Sequence, residues 1–144
     1  MFKTPSYIML VDDEDFVEML SLRLKETGEN VVAAYNGQEC LDTLEKSEID
    51  VIILDVKMPG MDGIETLQEI KKRHPLVEVI MLTGHGTIDS AVKGMKLGAY
   101  DYLFKPADFD DLTIKLNKAR RRRQDQMERI RQAESAMLLR RSKI

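Results

Sequence analysis

Short apolar runs alternate with segments of helical periodicity along the chain, and this alternation limits the fold more than any other feature of the sequence. Five runs of four to six apolar residues are too short for helices and are typical of buried parallel strands. They cover residues 7–11, 30–34, 51–54, 77–82 and 100–104. Strands that alternate with helices form parallel sheets. The sequence therefore predicts an α/β protein with a doubly wound five-stranded parallel sheet and helices on both faces.

The segments between and after these runs carry apolar residues at helical spacing. Phe16, Leu20 and Leu24 give this spacing in the first segment, and Gly28 ends it. The predicted helices cover residues 14–27, 38–46, 64–73 and 87–97, and a last one runs from residue 108 to about residue 141. Residues 58–63 (MPGMDG) predict a loop from their proline and glycines.

Length and composition exclude several classes of protein. A chain of 144 residues suits one domain with one core, and its only cysteine, Cys40, excludes a disulfide framework and a cysteine-based zinc cluster. No apolar run approaches the 18 or so residues that cross a membrane. The first residues lack the apolar stretch of a secretory signal. We therefore expect a cytoplasmic domain without a membrane partner.

Charge is distributed unevenly along the chain. Residues 1–117 contain 12 basic and 22 acidic side chains, a net charge of −10, whereas residues 118–144 contain 10 basic and 3 acidic ones, a net charge of +7. The sequence thus predicts an acidic body followed by a basic helical extension, and we expect the two segments to serve different purposes.

Polar side chains follow four of the predicted strands. Asp12 and Asp13 follow the first strand, Asp55 the third, Thr83 the fourth and Lys105 the fifth. The carboxyl ends of parallel strands meet at one edge, about 5 Å apart, where such sheets bind ligands. Clustered carboxylates need a cation or raised pKa values, and oxygen ligands in an open site favour Mg²⁺. The five side chains could bind Mg²⁺ and carry a phosphoryl group on a carboxylate.

Each of these residues also has an ordinary structural interpretation. Acidic residues between a strand and a helix often cap the helix or lie solvated near its N-terminus, which suits Glu14 and Asp15, and Asp55 alone suits a cap or a turn. Thr83 alone suits a turn, Lys105 alone a solvated surface, and His85 a loop. The shared position at one edge of the sheet favours a common functional role.

Four segments of the chain resemble the receiver domain of bacterial two-component response regulators, in particular the NtrC-like type. They are residues 9–14 (MLVDDE), 53–63 (ILDVKMPGMDG), 81–86 (MLTGHG) and 98–106 (GAYDYLFKP). The resemblance covers residues 5–119, so it implies a receiver domain over this range and a basic helical extension over residues 120–144.

The resemblance assigns the phosphoacceptor and the metal ligands. Asp55 would accept the phosphoryl group. Asp12 and Asp13 would hold Mg²⁺, with Asp13 the more direct ligand. Asp55 and the backbone carbonyl of Lys57 would complete the protein ligands of the metal.

The resemblance also assigns a switch. Thr83 would hydrogen-bond the phosphoryl oxygens and Lys105 would pair with the phosphoryl charge. Lys105-Pro106 would be a cis peptide bond. Tyr102 would be the aromatic residue that turns inward when the protein is phosphorylated. Lys57 and His85, each two residues beyond a site residue, would influence the lifetime of the acyl phosphate.

The implied function is that of a signalling switch. A histidine kinase or a phosphotransfer protein would donate the phosphoryl group, and the surface of residues 87–104 would then change. The chain would not be a metabolic enzyme, since it would assist only its own phosphorylation and dephosphorylation. A haloacid-dehalogenase-type hydrolase would need an aspartate two residues after its nucleophile, where this chain has Lys57.

The extension leaves several alternatives open. Residues 120–123 are four arginines, and beyond them Met127, Ile130, Met137 and Leu138 form a thin apolar stripe. A solvated helix, a coiled coil that forms a homodimer, and a contact with a partner or a nucleic-acid backbone all fit this pattern. A DNA-binding or scaffold protein with a regulatory receiver is therefore the alternative function. Residues 120–144 are too few for a DNA-reading domain, so we expect no nucleic-acid partner for this chain alone, which is either a stand-alone receiver or a fragment.

Overall fold

The computed structural model describes residues 7–57, 60–84 and 88–142. Within these residues, five strands alternate with five helices. The strands are β1 (Tyr7–Val11), β2 (Asn30–Ala34), β3 (Val51–Leu54), β4 (Glu78–Thr83) and β5 (Asp101–Phe104). The helices are α1 (Glu14–Glu26), α2 (Gly37–Lys46), α3 (Gly63–Arg73), α4 (Ile88–Lys96) and α5 (Phe109–Ser142).

The strands form one parallel sheet in the order β2-β1-β3-β4-β5. Val11 pairs with Leu54, and Leu54 pairs in turn with Met81. This register aligns the carboxyl ends of β1, β3 and β4 at one edge of the sheet. The predicted fold class is therefore confirmed, including the neighbouring positions that the strand-end side chains require.

The core lies on both faces of the sheet, because successive residues of each strand point to opposite sides. Met9 belongs to one buried cluster and Leu10 to the other. The first cluster receives Cys40, Leu41 and Leu44 from α2 and Leu67 and Ile70 from α3. The second receives Val17, Leu20 and Leu24 from α1 and Leu112 and Leu116 from α5. Leu112 and Leu116 face the core as predicted.

Polar residues and a glycine set several of the helix ends, and of these the stop at Gly28 was predicted. Asn36 and Asp62 cap α2 and α3 by accepting hydrogen bonds from the backbone N–H groups of Glu39 and Glu65. Gly28, just after α1, has a φ of 89°, in the left-handed region that favours glycine.

Several predicted boundaries differ by one residue from the observed ones. The prediction for β4 started at Val77, whose N–H donates instead to the His74 carbonyl in a turn. The ladder starts with Glu78, whose N–H donates to Asp50, and it includes Thr83, whose carbonyl accepts from the N–H of Lys105. Thr83 is therefore the last residue of the strand. Part of the predicted loop at residues 58–63 and the predicted start of α4 at residue 87 lie outside the described residues.

Helix α5 continues without interruption past residue 119. Its first half packs on the sheet through Leu112, Leu116 and Ala119, and its second half carries mostly exposed side chains. Among the described residues, no helix is long and apolar enough to cross a membrane.

Candidate phosphoacceptor site

Two carboxylates lie next to each other at the carboxyl edge of the sheet. Asp12 directly follows β1 and Asp55 directly follows β3, and the backbone N–H of Asp55 donates to the Val11 carbonyl over 3.0 Å. Asp12 is 4% exposed, Asp55 is 6% exposed, and Thr83 at the end of β4 is fully buried. The strand ends therefore hold three of the predicted site residues in a recess that is largely closed to solvent.

Gly63, the first residue of α3, has no side chain, and this allows α3 to begin close to the backbone of Asp55. A Cβ atom at this position would lie 2.2 Å from the Asp55 carbonyl oxygen and 2.6 Å from Val56 Cα. The Gly63 N–H donates to the Val56 carbonyl over 2.7 Å. The helix thus begins in direct contact with the backbone of Asp55 and Val56. The sequence analysis missed this role; the glycine directly after the capping Asp62 was the available signal.

Lys105 reaches the site from the end of β5. Its Nζ donates to Asp12 Oδ2 over 2.6 Å and lies 3.8 Å from the centre of the Phe16 ring. The peptide bond to Pro106 is cis, which confirms that expectation. The resemblance paired Lys105 with a phosphoryl group; in this structure its partner is the carboxylate of Asp12.

The environment of Asp12 disfavours its charge. Burial raises the pKa of Asp12 from 3.8 to about 6, and the charge of Asp55 adds to the increase. Hydrogen bonds from Lys105 and from the Asp13 backbone N–H act in the opposite direction. Among the described residues, Lys105 pairs with Asp12 and offsets part of the charge of the two buried carboxylates, so a bound cation could offset the rest.

Asp13 has a structural role in addition to its predicted one. Its Oδ1 accepts a hydrogen bond of 2.8 Å from the Phe16 N–H, so Asp13 is the N-cap of α1, while Glu14 and Asp15 lie in the first helical turn. Its side chain is exposed. Among the described residues, no group of three or more His, Cys, Asp or Glu side chains is placed to hold a metal ion.

The donor set nonetheless suits Mg²⁺ chemically. Asp12 and Asp55 supply oxygen ligands beside an unmet negative charge, and Oδ2 of Asp13 lies outside the helix cap. The N–H of Lys57 approaches Asp55 Oδ1 at 3.5 Å, and the Lys57 side chain is exposed. The metal ligands named from the sequence stay a prediction.

Tyr102 lies on β5 with its hydroxyl against helix α4. The hydroxyl lies 3.2 Å from Ser90 Oγ, and the ring centre lies 5.2 Å from that of Phe104. Thr83 pairs with Phe104, and Met81, two residues earlier on the same face, pairs with Tyr102. A displacement at Thr83 can therefore reach Tyr102 along one face of two neighbouring strands. His85 lies outside the described residues.

Comparison with known protein families shows which family the chain belongs to. The family model of the response regulator receiver domain matches residues 8–117. The chain belongs to this family. An NtrX-like response regulator of Rickettsia felis is 41% identical over 115 residues, which are 78% of this chain and 24% of that protein. The transcriptional regulatory protein ZraR of Escherichia coli is 40% identical over 113 residues, 78% of this chain and 26% of that protein. The chain thus spans about a quarter of the length of these relatives.

Solved structures support the same relationship. A response regulator receiver domain protein from Clostridium thermocellum has a TM-score of 0.77 at 36% identity, covering 84% of this chain and 98% of that one. NtrX from Brucella abortus has a TM-score of 0.79 at 31% identity, covering 87% of this chain and 29% of that one. The receiver fold and the response regulator family are therefore shown for this chain.

Proposed function

We propose that this receiver domain is a phosphorylation-controlled switch that accepts a phosphoryl group on Asp55. The donor would be a phosphohistidine of a histidine kinase or of a phosphotransfer protein. The observation that carries the proposal is the buried Asp55 carboxylate beside Asp12 and Lys105, in a domain of the response regulator family.

The proposed transfer moves one phosphoryl group between two proteins. A carboxylate oxygen of Asp55 attacks the phosphorus, a P–O bond forms, and the P–N bond to the donor imidazole breaks with its electron pair left on nitrogen. The product is an acyl phosphate on Asp55. When bound by Asp12, Asp13, Asp55 and the Lys57 carbonyl, Mg²⁺ would offset the negative charge on the phosphoryl oxygens and the carboxylates.

Lys105 is the residue that we expect to change partner. In this structure its ammonium group pairs with Asp12 over 2.6 Å. A phosphoryl group on Asp55 adds charge and acceptor oxygens close to that pair. Lys105 would then turn to the phosphoryl oxygens, and the Thr83 hydroxyl would donate to them as well. Tyr102 would follow Thr83 and alter the surface of α4 and β5, where Ile88, Val92 and Met95 are exposed.

The proposal is tested by exposing the protein to acetyl phosphate and Mg²⁺ and measuring its intact mass. We expect the parent to gain the mass of one phosphoryl group, in a form that is labile to base, and Asp55→Asn to gain none. Asp15→Asn removes an exposed carboxylate from the same edge of the sheet and is the matched control, which should be phosphorylated like the parent. An unchanged adduct on Asp55→Asn would overturn the assignment.

The switch also needs a downstream partner that responds to it. The relatives ZraR and NtrX are regulators about three times as long as this chain. We propose that the α4–β5 surface passes the signal to an output segment or partner. A homodimer through the extension is part of this proposal, because Ile130, Met137 and Leu138 are exposed on α5. Sedimentation equilibrium of the parent and of Ile130→Ser would distinguish monomer from dimer.

A further inference from the structure

The arginines of residues 120–123 contact the body of the protein at the edge of the sheet opposite to Asp55. Arg120 pairs with Glu29, just before β2, and Arg122 with Glu78, the first residue of β4. Arg123 Nε donates to Asp50, just before β3, over 2.7 Å. Three successive ion pairs thus join α5 to the amino ends of three strands.

Two of these ion pairs have a buried member, although the side chain of Arg122 is itself 48% exposed. Arg123 is only 7% exposed and Glu78 only 2% exposed. Both carboxylate oxygens of Glu78 are used, one by Arg122 and the other by Lys71, whose Nζ also donates to the Val77 carbonyl over 2.8 Å. The Arg122 guanidinium also lies 4.7 Å from the centre of the Tyr100 ring. Exposed ion pairs contribute little to stability, but breaking a buried pair leaves an uncompensated charge.

Arg123 continues the buried face of the helix. Leu112, Leu116, Ala119 and Arg123 follow one another at spacings of four, three and four residues, which places them on one side of α5. The apolar contact with the sheet therefore ends in an ion pair at the edge of the body. Beyond it, from Gln124 to Ser142, the helix is mostly exposed, although Met127 still lines a groove with Leu44 and His74 of the body.

We propose that Arg120, Arg122 and Arg123 form a clamp that holds the extension of α5 as a rigid arm in one direction relative to the sheet. Most of the stability of helices in proteins comes from tertiary packing, which the exposed part of α5 largely lacks. The clamp fixes the turn of α5 from which residues 124–142 continue, so it supplies a formed nucleus and a fixed direction. The proposal rests on the ion pairs alone and stands or falls independently of phosphorylation at Asp55.

The first test is amide hydrogen exchange of residues 124–131. In Arg123→Met, which keeps an apolar stem but removes the charge, we expect exchange there to become about tenfold faster or more. Arg129→Met, in the same helix but exposed, is the matched control and should leave these rates within about twofold of the parent, since exposed side chains contribute little. Equal protection in Arg123→Met and the parent would overturn the proposal.

A second test reads the direction of the arm and remains decisive if Arg123→Met proves unstable. Spin labels on Lys72→Cys in α3 and Ser135→Cys in the arm report the distance between these two positions. The labelled protein is diluted into unlabelled protein, so that only distances within one molecule are measured. Burial raises the pKa of the Cys40 thiol to about 12, so Cys40 resists labelling. We expect one narrow distance distribution, which broadens when Glu29→Gln breaks the clamp from the body side. A broad distribution in the parent, or an unchanged one in Glu29→Gln, would refute a clamped arm.

Discussion

Replacing Gly63 by alanine tests whether the start of α3 sets the position of Asp55, the proposed phosphoacceptor. The added Cβ would lie 2.2 Å from the Asp55 carbonyl oxygen and 2.6 Å from Val56 Cα, and both of these are backbone atoms. Ordinary carbon contacts need roughly 3.5–4 Å. No side chain can rotate to make room, so the start of α3 and the segment of Asp55 must separate by about 1 Å.

The separation has a cost in stability and a cost in rate. Overpacking of this kind usually lowers the free energy of unfolding by about 1–3 kcal/mol, and a backbone clash belongs at the upper end of that range. A displacement of about 1 Å at a reacting group can lower its rate by about 100-fold. We therefore expect Gly63→Ala to be less stable in urea and to accept the phosphoryl group from acetyl phosphate much more slowly than the parent.

Gly84→Ala is the matched control, since a Cβ at Gly84 would meet its nearest neighbour, Lys105 Cβ, at 3.8 Å. This is ordinary van der Waals contact beside the same site. We expect Gly84→Ala to change the free energy of unfolding by less than about 0.5 kcal/mol. If Gly63→Ala matched Gly84→Ala in both stability and phosphorylation rate, the close contact at Gly63 would not position Asp55.

Substitutions at three further residues test other parts of the site. The pKa of Asp12, about 6 in the folded protein and 3.8 ordinarily, means that the folded state keeps a proton that the unfolded chain releases between these pH values. The free energy of unfolding of the metal-free parent should therefore fall by about 3 kcal/mol as pH rises through that window. In Asp12→Asn this fall should be absent. Identical pH profiles of the two proteins in urea titrations would contradict the prediction. Asp13→Asn should keep the helix cap and weaken Mg²⁺ binding, whereas Asp13→Ala should also lose about 1 kcal/mol of stability; unchanged Mg²⁺ titrations would place the metal elsewhere. Thr83→Ala should still accept a phosphoryl group but uncouple Tyr102, so equal beryllofluoride-induced NMR shifts at Tyr102 in variant and parent would indicate another route.

The positions of the strand-end residues could be predicted because they depend on few physical rules. Short apolar runs gave the strands, and alternation with helices made the sheet parallel. In such a sheet every residue that follows a strand arrives at the same edge, so Asp12 and Asp55 could be placed together before any coordinates were known. The same reasoning placed Lys105 near them, because β5 ends at that edge.

The partners of these residues could not be predicted, because they depend on side-chain direction. Nothing in the spacing of Asp13 indicates that its Oδ1 caps α1, or that Lys105 contacts Asp12 and the Phe16 ring. The contact of Gly63 with Asp55 depends on the angle at which α3 leaves the loop. These features follow from the packing of elements far apart in sequence, which periodicity does not report.

In the structure, part of the basic charge of the extension is paired with acidic residues of the body. In a parallel sheet, the residues that precede the strands lie at one edge, and the residues that follow the strands lie at the opposite edge. At the edge formed by the amino ends of the strands, three acidic residues are each paired with an arginine of α5, namely Glu29, Asp50 and Glu78. At the edge formed by the carboxyl ends of the strands, the ammonium group of Lys105 pairs with Asp12. Three of the ten basic side chains after residue 117 thus neutralise acidic residues at one edge of the body, and the negative charge of the other edge is available for the chemistry proposed at Asp55.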